Sequence, residues 1–195
     1  MAPDPIGHQP PDALPPFLRA LPTDGMRALL QYWVAAREGA AMPRRPVFDP
    51  LRFPEMMPLM QLHERKADGR YLCRVSGTEI VAAVGSESTG RHLDEVVLPQ
   101  HLESRAVLFD RCLDEGLPLL YDGRLTVPDR EWKRVQRLLL PLADRHGQPR
   151  FLLSLLHFER LQTVMPPISD ANHGIISLRA MTAAEVDHCA QQSTP

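Results

Sequence analysis

Residues 71–96, YLCRVSGTEIVAAVGSESTGRHLDEV, constrain this chain more than any other stretch. A strand-like YLCRV runs into Gly-Thr, then a short apolar turn IVAAV, a glycine-punctuated linker GSESTG and a helix-like RHLDEV. That order of pieces marks a kind of fold rather than a chemistry. Gly77, Gly85 and Gly90 are expected to serve backbone geometry. Nothing in the segment forms a set of residues able to do chemistry.

The flanks supply the rest of the order. Residues 1–22 are proline-dense and are read as a disordered leader. Residues 23–40 are read as an amphipathic helix, with Thr23 as N-cap, an apolar stripe through Leu29, Leu30 and Trp33, and Gly39 at its end. Pro43, Pro46, Pro50, Pro54 and Pro58 then impose an extended connector with one turn near 53–57. Residues 59–65 and 71–76 flank Ala67-Asp68-Gly69, a hairpin signal. Pro99 opens a longer helix to about 115, closed by Gly116-Leu117-Pro118. Strands are expected over 119–127, 131–142 and 150–159. Residues 161–195 are read as a tail with one short helix, capped by Thr182 with Glu185 three residues on. The folded domain is therefore placed at 41–160.

At 195 residues, 44% of them hydrophobic, the chain can bury one substantial core. A formal charge of −2 gives no general attraction to nucleic acid or anionic lipid. The cluster Arg37, Arg44, Arg45 with Arg52 has few aromatics among it and is read as a solvated connector. No run of about 18 apolar residues is present for membrane insertion, and no secretory signal is visible. Cys73, Cys112 and Cys189 make neither a zinc pattern nor a disulfide framework, which fits a cytoplasmic location.

The order strand–strand–helices–strand–strand–strand is that of a PAS domain. LLQYWVAAREGAAMPRR, FDPLRFPEMMP, CRVSGTEIVAAVGSESTGRHLDEV and RLLLPLADRHGQPRFLLSLLHF resemble the single-domain PAS family of proteobacteria, the PAS_5 type, over roughly residues 29–158. The resemblance implies an α+β fold, a five-stranded antiparallel sheet with short helices on one face and the N-terminal helix on the other. It also implies a sensory or regulatory module in cytoplasmic signalling, without catalysis. Such a module senses a small ligand or works through protein contacts with a signalling partner. The alternative is a localisation or scaffold adaptor with a filled core. In PAS domains the ligand space lies between the central helices and the concave sheet face. For this chain that implies a lining of Tyr71, Cys73, Ile80, Val84, Leu108, Cys112, Leu138, Leu153 and Leu155.

The strand FLLSLLHF is apolar on both faces, unlike a half-exposed antiparallel strand. Its outer side is assigned Leu152, Leu156 and Phe158, covered by Leu29, Leu30 and Trp33 of the same chain or of a second copy in a homodimer. The cofactor is left unidentified. A flavin photoadduct is not expected, because GTEIVAAVGSESTG lacks the cysteine that light-sensing flavin domains carry there. Haem is not expected either: His92 and His101 read as exposed residues at a helix start, where the positive helix end does not favour imidazolium. His63, His146, His157 and His173 have no metal-ligand spacing. Ser76, Ser86, Ser88 and Ser154 lack a nucleophile elbow, so no enzyme activity is expected.

Overall fold

The computed structural model describes residues 14–127, 130, 133–161 and 174–192. Its core is a six-stranded antiparallel sheet in the order β2-β1-β5-β4-β3-β6. The strands are β1 (Met60–Arg65), β2 (Tyr71–Ser76), β3 (Leu119–Arg124), β4 (Lys133–Ala143), β5 (Pro149–Arg160) and β6 (Ile175–Ala180). Helices α3 (Thr78–Val84) and α4 (Pro99–Glu115) cover the concave face. Helices α1 (Pro16–Ala20), α2 (Asp24–Ala36) and α5 (Ala183–Gln192) cover the other.

Local chemistry explains most element ends. Thr23 caps α2 by accepting from the Met26 N–H at 3.1 Å. Pro99 takes the first helical position of α4, and Gly116 closes it in the left-handed region at φ 67°. The β1–β2 hairpin turns at Gly69, as Ala67-Asp68-Gly69 predicts. Gly77 is needed for close approach: a Cβ there would collide with the backbone carbonyls of Met57 and Pro58, while its φ of −65° is ordinary. The proline-rich connector forms two 3-10 turns, Pro50–Arg52 and Pro54–Leu59, where one turn was expected.

Three further expectations need correction. The sheet has a sixth strand, because Ile175–Ala180 pairs with β3 inside the stretch read as a tail. It is a partly exposed edge strand, so its sequence carries little of the apolar alternation that marks a strand. Thr182 and Glu185 then cap α5 as expected: Thr182 N–H donates to Glu185 Oε2 at 2.9 Å and Glu185 N–H to Thr182 Oγ1 at 3.2 Å. Second, residues 14–22 of the assumed leader include α1, whose Phe17 and Leu18, with Leu21 after it, are buried. Pro16 does not break this helix because it stands at its first position. Residues 1–13 of that leader, 162–173 and 193–195 of that tail, and the start expected for β4 at 131 lie outside the described residues.

The third correction concerns which way the strands face. Leu138, Leu140, Leu142, Leu153 and Leu155 join Leu29, Leu30 and Trp33 of α2 in one cluster. Leu139, Leu152 and Leu156 lie on the concave side with α3 and α4, where Phe158 packs against them. The strands do alternate as read, but a choice of the wrong face inverts every assignment along them. Leu138, Leu153 and Leu155 therefore sit under α2, and Leu152, Leu156 and Phe158 face the helices of the concave side.

Trp33 anchors α2 to the sheet. Fully buried, it donates from Nε1 to the Pro141 carbonyl at 2.8 Å. Pro141 is unusual within a long strand, yet β3 ends opposite Leu139, so this edge of β4 has no strand partner at Pro141. Beyond it Ala143 N–H donates to Pro43 O and Arg45 N–H to Ala143 O. The indole, not a strand, satisfies the proline carbonyl. Trp33→Phe should keep much of the apolar contact but orphan this carbonyl, costing about 1–3 kcal/mol. Trp33→Ala should cost about 3–5 kcal/mol. Urea unfolding of the two variants checks both values, and a Trp33→Phe loss near zero would show that the hydrogen bond contributes nothing.

Candidate functional site

The two faces of the sheet are filled differently. The outer face forms one continuous apolar cluster. The concave face is divided into two. One cluster contains Tyr71, Leu93, Phe109, Cys112, Leu113, Leu119, Leu139 and Leu152. The other contains Ile80, Leu108, Tyr121, Val135 and Leu156.

Register places a polar seam between them. Along β5 the inward residues run Leu152, Ser154, Leu156; along β4 they run Leu139, Arg137, Val135. Ser154 pairs with Gln61 on β1, His63 with Leu152, and Arg137 with Tyr121 on β3. The division falls at Ser154 on one strand and at Arg137 on the next. Arg105 of α4 approaches from above, its guanidinium carbon 5.0 Å from the centre of the Tyr121 ring.

The polar groups of the seam are short of protein partners. His63, Tyr121 and Ser154 are at most 2% exposed. His63 Nδ1, Tyr121 Oη, Ser154 Oγ and Arg137 Nε are buried without a hydrogen bond among the described residues. Buried polar atoms are normally paired, and an orphan costs about 1–3 kcal/mol. At the seam's edge Gln61 is satisfied: Nε2 donates to Ser88 Oγ at 3.2 Å and to Ser76 Oγ at 3.5 Å. Tyr71 Oη donates to Asp110 Oδ1 at 2.6 Å, and Arg65 reaches Asp110 and Asp114.

The electrostatics follow from burial. Desolvation, then the charges of Arg137 and Arg105, pull the His63 imidazole down to about 3. Burial and the charge of Arg105 lower the Arg137 guanidinium to about 9, which still leaves it cationic at neutral pH. Burial also raises the thiols of Cys73 and Cys112 above their ordinary range and that of Cys189 to about 11. All three stay protonated, unlike a reactive thiolate.

Six of the nine residues expected to line a ligand space, Tyr71, Cys73, Ile80, Val84, Leu108 and Cys112, are on the concave side or at its rim. The other three are on the outer face. His101, expected to be exposed, is 7% exposed, whereas His92 is half-buried beside Glu95. His173 lies outside the described residues. No group of metal-binding side chains occurs among the described residues. Sequence reasoning missed Arg105, Tyr121 and Arg137 altogether and treated His63 and Ser154 as incidental. The signal was a polar residue at inward parity in a strand otherwise apolar on both faces.

A recess of about 360 Å³ opens on the opposite side of the sheet edge, beneath the connector. Phe48, Leu51, Met57, Met60, Leu62 and Leu153 line it. Its charged rim is engaged locally: Arg45 donates to the Phe48 carbonyl, and Asp49 accepts from Leu51 N–H. It lacks the convergent polar groups of a specific ligand site.

Residues 22–157 match the family model described as PAS_5, a PAS domain. The chain belongs to this family, whose fold is associated with sensory and regulatory roles. No curated protein matches the chain. No helix among the described residues is long and apolar enough to cross a membrane.

His63 makes the seam sensitive to acid. Its folded-state pKa lies below its unfolded value near 6.5, so the unfolded chain binds the extra proton between about 6.5 and 3. The stability it contributes is full above 6.5 and falls as pH drops through that window. His63→Leu should reduce the acid-side loss by up to about 1.4 kcal/mol per pH unit. Urea unfolding at pH 7 and pH 5 tests this, and parallel losses in both proteins would rule His63 out.

Proposed function

We propose that this chain is a non-catalytic sensory module that binds a small molecule in the polar seam of its concave face. The seam carries the proposal: buried polar atoms of His63, Ser154 and Arg137 have no hydrogen bond among the described residues and lie between two apolar clusters, beside a continuous outer core. A filled adaptor core would bear the full cost of each orphan. A ligand with matching polar atoms removes that cost and makes the stability of α3 and α4 depend on occupancy.

Output passes to a protein partner, in line with the frequent use of PAS domains in protein contacts and dimerisation. The apolar argument for a homodimer is weak at the outer face, since Leu29, Leu30 and Trp33 are fully buried within one chain. Three buried free cysteines support placement in a reducing cytoplasm.

Native mass spectrometry of the purified chain, compared with its denatured mass, tests ligand binding. The expected result is a released small molecule, absent from Ser154→Leu, which closes the seam with apolar volume. A bare mass, together with a melting temperature that no fraction of a metabolite extract shifts, would support the adaptor instead.

A further inference from the structure

Several of the described arginines end on carboxylates, and others on backbone carbonyls. Arg65 reaches Asp110 and Asp114, Arg70 pairs with Asp94, Arg134 with Asp122 and Glu159, and Arg150 with Glu64. Even exposed Arg111 and half-buried Arg27 have carboxylate partners one helical turn away. Arg105 and Arg137 form no ion pair with any described residue. They lie on facing elements, joined through Tyr121: Arg105 over its ring, Arg137 beside it as cross-strand partner.

Two guanidinium groups in a partly desolvated seam are an expensive arrangement. Each cation loses hydration there, and the two repel one another. Water can satisfy N–H donors, but it cannot neutralise charge. The ring of Tyr121 attracts the Arg105 cation through its face and leaves the in-plane N–H groups of that guanidinium to another acceptor. An anion is the species that answers every term together.

We propose that the seam binds a small carboxylate with an apolar body, held by the guanidinium groups of Arg137 and Arg105. This depends on the seam being the sensory site, as proposed above. The planar fork of Arg137 matches a carboxylate through two parallel N–H···O bonds. Ser154 Oγ is a further donor within the same strip, and the neutral imidazole of His63 can donate from either nitrogen. The apolar clusters around Phe109 and Leu152 on one side, and Leu108 and Leu156 on the other, suit a hydrocarbon body. Inorganic phosphate has the charge and lacks that body.

The test uses the full chain and compares acetate, butyrate, hexanoate and benzoate with their neutral amides and with inorganic phosphate. Thermal unfolding is the readout, with calorimetric titration for affinity. The longer carboxylates should raise the melting temperature saturably, and their amides should not. Arg137→Met should weaken binding at least about tenfold. Without any anion, the same variant should melt at or above the parent's temperature, because it removes a partly buried charge that no described carboxylate pairs. A merely structural arginine would give the opposite shift. Arg105→Met, at a half-buried position, makes the same binding comparison should Arg137→Met fail to fold.

Equal stabilisation by amides, or undiminished binding in both arginine variants, would overturn recognition by charge while leaving a sensory ligand in place. Phosphate stabilising where carboxylates do not would overturn the ligand class. If no carboxylate acts but native mass spectrometry still finds a bound molecule, the carboxylate proposal falls alone. A bare mass with no response to any probe removes both.

Discussion

The structure depends on a pair of central strands that cannot face water on either side. β4 and β5 carry leucine at inward and outward positions alike, so each face of the sheet must be covered. That requirement calls α3 and α4 to the concave face and α1, α2 and α5 to the other. Trp33 shows how closely the cover is fitted, since its indole satisfies a carbonyl that β4 exposes only after β3 has ended. A two-faced strand in an antiparallel sheet thus organises the chain on both sides of itself, including segments far from it in sequence.

The two covers differ in chemistry. On the outer face, helix and sheet meet in unbroken apolar contact, the arrangement of a structural core. On the inner face the contact is interrupted along one strip, and arginine, histidine, serine and tyrosine occupy the interruption. Interiors tolerate such groups at a cost in stability, and natural proteins retain that cost chiefly where function needs it. The same helices that close the concave core therefore rest on its least satisfied part. A ligand in the seam, as proposed, would link its occupancy to the hold of α3 and α4 on the sheet by ordinary mass action.

Much of this was legible in the chain. α2, α4 and the β1–β2 hairpin announce themselves through Thr23, Pro99, Gly116 and Asp68-Gly69, because caps and turns are local chemistry. The sorting of Leu138, Leu153 and Leu155 from Leu139, Leu152 and Leu156 was not, since a strand apolar on both faces carries no label for which is which. β6 escaped notice because a partly exposed edge strand, with only Ile175, Leu178 and Ala180 packed against the core, carries little apolar alternation. The seam could have been suspected from Ser154 inside FLLSLLHF and Arg137 inside VQRLLL. Its second cation could not, because Arg105 reaches Tyr121 only once α4 has docked on the sheet.

The ends of the described chain are clasped to one another. Phe17 N–H donates to Glu185 Oε1 at 2.9 Å, and Arg179 Nη1 donates to the Pro16 carbonyl at 3.1 Å. In outline the molecule is nearly a ring, with its first and last helices meeting over the outer sheet face. A ring has no privileged starting point: a short bridge between the two ends, with a new break at the exposed β1–β2 turn, would leave every strand neighbour unchanged. The clasp also makes the two ends a single unit of local opening. A cut that frees α1 loosens α5 with it, and bares the outer leucines of β4 and β5 from both directions at once.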